Sequence, residues 1–381
     1  MSGTKISDFS FELIHQSKKS HARVGVIHTP HGQIHTPSFV AVGTNGTLKA
    51  IDNAFVSALG LELMFCNTYH LMVHPGADVV KNMGGLHSFI QRDCPIITDS
   101  GGFQVFSLAY GSVANELKGV GQKKHNNAVL KIDETGVKFR SYRDGSIIHL
   151  TPETSIDAQK KLGADIIIPF DELPPFHMGQ SALESSFKRT HRWMKRSLDA
   201  HLINPNRQAI YGVVHGGLQQ DLRKQSAEIL SDQPWDGFAL GGSFGKDHND
   251  LSAVLNMTMP HLPYSRPRHL LGIGDHLGMT VAVQAGIDTM DSSYPTKLAR
   301  HGQLLRQNGT IKIGQSKWKQ SKAPIDPDCR CYTCKNYSLA YLHHLYKMSE
   351  PTYATLASIH NISYLIQWMQ HVRQKILEDQ I

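Results

Sequence analysis

AIYGVVHGGLQQDLRKQSAEILSDQPWDGFALGG, residues 209–242, holds one complete unit of the fold. AIYGVV is short, apolar and rich in β-branched and aromatic side chains, the content of a strand buried on both faces. LQQDLRKQSAEIL (218–230) reads as an amphipathic helix, and GFALGG (237–242) as a second buried strand. Strand, helix, strand in that order specifies a parallel βαβ crossover.

The same apolar burst, ending in Gly, Asp, Asn or His, recurs on either side. LELMFCNTYH (61–70), PIITDSGG (95–102), ADIIIPFDE (164–172), HLLGIG (269–274) and GIDTMD (286–291) join the two above, and HLGMTVAVQAG (276–286) is another intervening helix. Seven or eight such units predict an α/β chain folded as an irregular (β/α)8 TIM barrel. The alternative is a doubly wound open sheet, which also alternates strand and helix and also binds ligands at strand ends. In a barrel the carboxyl ends of the strands carry the chemistry, and Asn67, Asp99, Asp171, His215, Gly242, Gly274 and Asp291 fall at those ends.

Between Asp99 and Asp171 the spacing is too long for one unit. VLKIDETGVKFRSYRDGSIIHL (129–150) alternates like antiparallel strands, with turns at Glu134-Thr135-Gly136 and Asp144-Gly145. The expected organisation is a catalytic barrel over 1–310 with an insertion at about 104–150, a metal-binding subdomain over 311–365 and a C-terminal helix over 366–381.

The chain of 381 residues carries a formal charge of +7. From Lys297 to Lys335 nine basic residues face only Asp326 and Asp328, a surplus equal to that of the whole chain. A charge run is ordinarily a solvated face, but this one begins six residues after a strand-end aspartate, which suits a phosphate-binding rim. No apolar run approaches the roughly 18 residues of a membrane span. MSGTKISDFSFELIHQ lacks the basic-then-apolar pattern of a signal peptide, so the expectation is a cytoplasmic protein that does not engage a membrane.

Cysteine use agrees with a reducing compartment: Cys66 and Cys94 stand alone, while Cys329, Cys331 and Cys334 crowd into six residues. Three thiolates on one turn suit zinc, with an imidazole completing a closed tetrahedron and hence a structural role. His343, His344 and His360 all lie downstream, and spacing alone does not choose among them.

TDSGGFQVFSL (98–108), FDE (170–172), YGVVHGG (211–217), GGSFG (241–245), GIDTMDSSYPTKLARHGQ (286–303) and the cysteine cluster occur in one order. In that order they resemble the queuine family of tRNA-guanine transglycosylases, bacterial type. The resemblance implies a barrel with one structural Zn2+ per chain, held by Cys329, Cys331, Cys334 and His360. It implies exchange of the anticodon wobble guanine, within a uridine-guanine-uridine stretch of tRNA, for a 7-deazaguanine: the aminomethyl precursor preQ1 or queuine. Asp291 is then the nucleophile at C1′ and Asp99 the general acid/base. The base pocket would comprise Asp99, Ser100, Gly101, Gly102, Phe103, Asp171, His215, Gly241, Gly242 and Leu271. Gly272, Gly274, Gly278, Thr296, Lys297 and Arg300 would meet the RNA, and a homodimer is expected.

Three positions depart from the family pattern. His215 stands where glutamine is usual, so one ring donor and acceptor replace an amide. Lys297 replaces an arginine and loses bidentate phosphate geometry while keeping the charge. Gly245 replaces a bulkier apolar residue of bacterial relatives, and the expectation is a wider pocket that admits queuine. Two rival functions, a non-catalytic RNA-binding homologue and a zinc module on an unrelated barrel enzyme, leave Asp99 and Asp291 in their motifs, or the basic run, unexplained.

Overall fold

Strands buried on both faces must satisfy their backbone groups in one another, and here they do so by closing into a ring. The structure, a computed structural model, describes residues 8–110, 129–173, 179–307 and 309–381. An antiparallel sheet of β1 (Ser10–Gln16), β2 (Arg23–Thr29) and β3 (Gly32–Thr36) comes first. The barrel begins with β4 (Ser38–Val42), β5 (Met64–Cys66) and β6 (Ile96–Thr98). The insertion then adds antiparallel β7 (Val129–Asp133), β8 (Gly136–Arg140) and β9 (Ile147–Leu150). The ring resumes with β10 (Ile166–Ile167), β11 (Ala209–Val214), β12 (Gly237–Leu240), β13 (Arg268–Leu270) and β14 (Thr289–Ser292). A hairpin of β15 (Gln303–Arg306) and β16 (Gly309–Lys312) leads to the cysteine cluster.

Around the barrel the order is β4-β5-β6-β10-β11-β12-β13-β14, every pair parallel, with β14 closing on β4. The (β/α)8 expectation therefore holds, and the open sheet is excluded. Seven strands coincide with the apolar bursts. The eighth, β4, carries no such signature because it follows the β2–β3 hairpin directly, with no helix to mark a unit. The N-terminal sheet likewise has no counterpart among the expected elements. Both turns of the insertion lie where the sequence places them, although its central residues, 111–128, lie outside those described.

β10 is only two residues long because its continuation is held by side chains. The Gln159 amide accepts from Ile168 N (3.1 Å) and donates to Ile168 O (2.8 Å). Ser197 Oγ accepts from Phe170 N and Thr190 Oγ1 from Glu172 N. Helix Gln180–Ile203, which supplies those two hydroxyls, thus sets the path through Asp171.

At the opposite, amino-terminal end of the barrel the N-terminal sheet is tied on by buried charge. Arg23 donates from Nε to Asp288 Oδ1 (2.9 Å) and from Nη2 to Asp288 Oδ2 (2.5 Å), with both side chains fully buried. Nearby, Asp165 accepts from His31 Nδ1 (2.7 Å), His87 Nε2 (3.1 Å) and Ile96 N (2.8 Å). The two imidazoles stack with centroids 3.5 Å apart, so their nitrogens run parallel onto one carboxylate. These donors hold the Asp165 carboxyl well below its usual range against the opposing effect of burial. A depressed carboxyl adds stability that is complete above its unfolded value near 4 and disappears as pH falls through the folded value. Asp165→Asn is expected to cost about 3 kcal/mol at pH 7. In urea titrations, the gap between wild type and variant should narrow below about pH 4.

Candidate functional site

The carboxyl ends of β5, β6, β10, β11, β12, β13 and β14 share one rim, and each delivers a polar group or a glycine. Asp99 follows β6 and is buried. Its Oδ2 accepts from Asn67 Nδ2 (2.6 Å) and Gln104 Nε2 (2.9 Å), its Oδ1 from Thr68 N (2.7 Å) and Gly101 N (3.2 Å). Burial outweighs these four donors and pushes the Asp99 carboxyl up to about 6. Such a group exchanges a proton readily near neutrality.

Asp291 lies within β14, three strands round the ring from β6. Its Oδ1 accepts from Gly272 N (3.0 Å) and His269 Nε2 (3.2 Å). Oδ2 accepts no hydrogen bond among the described residues, which leaves it free to attack an electrophile. A carboxylate cannot donate, so His269 carries a proton on Nε2, and Nδ1 is hydrogen-bonded to Thr289 Oγ1 (2.9 Å). His269 is fully buried, and nothing in HLLGIG marks it as chemical. It was missed because its role depends on the β13–β14 register, His269 opposite Thr289.

Asp171 is drawn between two partners, Ser100 Oγ on Oδ1 (3.3 Å) and His215 Nε2 on Oδ2 (2.8 Å). His215 therefore spends Nε2 on Asp171 and leaves Nδ1 for another partner. Its backbone N–H donates to Ser226 Oγ (3.0 Å), whose hydroxyl bonds His191 Nε2 (2.9 Å). Burial pushes His191 down to about 4, consistent with a neutral ring.

Of the other residues expected to form a base pocket, Gly102 and Gly241 approach this pair. A Cβ at Gly241 would sit 3.5 Å from Leu271 Cδ1 and 3.8 Å from His215 Cε1, and one at Gly102 would sit 2.9 Å from Asp171 O. Gly101 lends its N–H to Asp99, and Phe103 is exposed on the first turn of helix Gly102–Tyr110. Behind Gly242 stands Arg223, fully buried, which no sequence motif identified.

Of the residues expected to meet RNA, Gly272 gives its N–H to Asp291. Gly274 packs against Ser292, Gly278 lies buried in the first turn of helix His276–Gln284, and Thr296 is buried with its hydroxyl on Ser293 O (3.2 Å). Lys297 and Arg300 stay exposed on helix Tyr294–Arg300.

Cys329, Cys331 and Cys334 surround His360, with Sγ atoms 3.6, 3.6 and 3.3 Å from Nδ1. His360 Nε2 donates to Leu305 O (2.7 Å), which fixes the tautomer and aims the Nδ1 lone pair at the sulfurs. These donors fit a tetrahedral zinc site with no open position. Asn361 Oδ1 accepts from Leu305 N (2.9 Å), while its amide donates to Pro295 O and Gln303 O. His343 instead bonds Ile313 O through Nδ1. A second cluster within ligand distance, His31, His87 and Asp165, is the hydrogen-bonded clamp of the opposite barrel end.

A family model described as queuine tRNA-ribosyltransferase matches residues 17–381. The chain is similar to the queuine tRNA-ribosyltransferase of Protochlamydia amoebophila, 59% identical over 379 residues that cover 100% of this chain and 98% of the relative. It is 54% identical to that of Chlamydia muridarum and 52% identical to that of Chlamydia trachomatis serovar D, each over 97% of this chain and 99% of the relative.

Gly245 has a cause other than pocket width. Its φ is +84° and a Cβ there would lie 2.2 Å from Asp250 Cβ. Gly245→Val is therefore expected to lower stability by about 2–3 kcal/mol, visible as a lower melting temperature, before any change in base preference.

Proposed function

The chain belongs to the queuine tRNA-ribosyltransferase family and is a pentosyltransferase, and on that premise we infer that it exchanges the wobble guanine of tRNA for a 7-deazaguanine. The observation that carries this reading is the pairing on one rim of two aspartates with different environments. Asp99 is buried and raised to about 6, whereas Asp291 has one oxygen held and one free. Asp291 Oδ2 attacks C1′, the bond to N9 breaks, and its electron pair leaves with guanine, which takes a proton from Asp99. The incoming base returns a proton to Asp99 and displaces Asp291, so two inversions preserve the anomeric configuration. His269 and Gly272 N–H hold the nucleophile against rotation.

Asp171 reads the ring N–H and exocyclic amine, since each carboxylate oxygen has a lone pair beyond those used by Ser100 and His215. Gly241 and Gly242 admit the base carbonyl to backbone amides, and Phe103 and Leu271 sandwich the ring. Lys297 and Arg300 hold the phosphates of an anticodon loop whose uridine-guanine-uridine bases are splayed out, as single-stranded RNA recognition requires. The protein works in the cytoplasm as a homodimer, and no helix among the described residues is long and apolar enough to cross a membrane. Either preQ1 or queuine is the incoming base.

Zinc bound by Cys329, Cys331, Cys334 and His360 supplies a crosslink, not a reacting centre. Because Asn361 bonds Pro295 and Gln303, that crosslink also braces the helix carrying Lys297 and Arg300.

Exchange of labelled guanine into tRNA, chased with preQ1 or queuine, tests the activity. Asp291→Asn should abolish the denaturation-resistant adduct with an anticodon stem-loop, and an adduct formed equally well by this variant would refute the nucleophile. Asp99→Asn should slow turnover by roughly 10²–10⁴-fold. Metal analysis should find one zinc per chain, retained in His343→Ala and lost in His360→Ala. That loss should lower the melting temperature by about 5 °C or more, a few kcal/mol in a chain of this size.

A further inference from the structure

Arg223 is a charged group beside the base site that the exchange chemistry leaves unused. Its Nε donates to Gly217 O (2.9 Å), Nη1 to Val214 O (2.9 Å) and Nη2 to Ser243 O (3.0 Å). It thereby ties the loop after β11 to the loop after β12, the two that bear His215 and Gly241–Gly242. The guanidinium also lies over the Phe244 ring, 5.5 Å from its centroid.

Two features go beyond a tie between loops. First, Arg223 has no carboxylate within ion-pair reach among the described residues, although it is fully buried. Burial lowers its pKa to about 9, so it remains cationic at neutral pH. An uncompensated buried charge carries a large desolvation penalty, and neutral donors could have joined the same carbonyls. Second, a Cβ at Gly242 would lie 3.6 Å from Arg223 Nη2 and 3.6 Å from His215 Nδ1. The charge therefore stands close to both the Gly242 backbone and the His215 ring.

We propose that Arg223 supplies a fixed positive potential that stabilises the negative charge appearing on the purine as its bond to C1′ breaks. The proposal rests on the exchange reaction inferred above. As Asp291 Oδ2 forms its bond to C1′, the C1′–N9 electron pair passes into the ring and toward the carbonyl oxygen, before the proton from Asp99 neutralises it. Asp171, anionic on the far side of His215, opposes that charge. Arg223 offsets it from within a low-dielectric wall, where a fixed charge acts strongly. Arg223 does not touch the base and is a positioning residue, distinct from the catalytic pair.

A leaving base that bears negative charge more easily needs this potential less. Zinc-loaded protein is mixed with anticodon stem-loops carrying guanine, or the more acidic 8-azaguanine, at the target position, and the first-turnover rate of adduct formation is measured. Arg223→Gln is expected to slow the guanine RNA about 100-fold but the 8-azaguanine RNA less than about tenfold, with RNA affinity changed less than about threefold. Arg223→Lys, which keeps the charge, should return the ratio of the two rates toward that of wild type. Equal slowing of both RNAs by Arg223→Gln, or no slowing, overturns the proposal and leaves Arg223 as a tie between loops. If Arg223→Gln does not fold, Arg223→Lys decides: slowing of the guanine RNA by less than about tenfold supports the proposal, and greater slowing overturns it. A wild type that forms no adduct with either RNA overturns the Asp291 chemistry itself.

Discussion

A ring of eight parallel strands closes only when its last strand bonds its first, and here β14 pairs with β4 over Thr289–Ser292, placing Asp291 opposite Val40. Everything on the rim depends on that closure. It sets Asp291 beside the end of β13, so that Gly272 N–H and His269 reach one carboxylate oxygen and spare the other. It also forces residues more than a hundred positions apart in the chain, such as Asn67, Asp171 and Asp291, onto one face. At the amino-terminal end the same ring is braced by Arg23 on Asp288 and by the two histidines on Asp165, which removes the burden of stability from the rim.

Freed from that burden, the rim carries groups that a core would exclude. Asp99 keeps four hydrogen-bond donors and is still raised to about 6, because its desolvation exceeds what they return. Arg223 stays ionised without a counter-charge among the described residues. Asp171 shares its oxygens between Ser100 and His215. The substitution of histidine at 215 changes the wiring more than the charge: its donor is spent on Asp171, so a neutral His215 meets a ligand as an acceptor.

The Cys3His cluster is joined to the site by adjacent residues of one helix. His360 and Asn361, on Pro351–Leu377, take the carbonyl and the N–H of Leu305 respectively. A histidine beside the three sulfurs and an asparagine that reaches Pro295 and Gln303 make the cysteine turn and the basic helix after Asp291 parts of one support.

Much of this was legible in the amino-acid sequence, because strand burial, helix amphipathicity and turn chemistry are local properties. Seven barrel strands, both insertion turns and the three-cysteine cluster follow from neighbours a few residues apart. β4 escaped notice because the signal for a barrel strand is the helix that follows and precedes it, and a hairpin precedes this one. The choice of His360 over His343 and His344 needed family resemblance, since convergence on the sulfurs is decided by how helix Pro351–Leu377 packs on β15. His269, Arg223 and the raised carboxyl of Asp99 belonged to tertiary structure alone. A side chain's proton affinity and its partner are set by burial and by groups brought close through closure of the ring, and neither is encoded in the residues beside it.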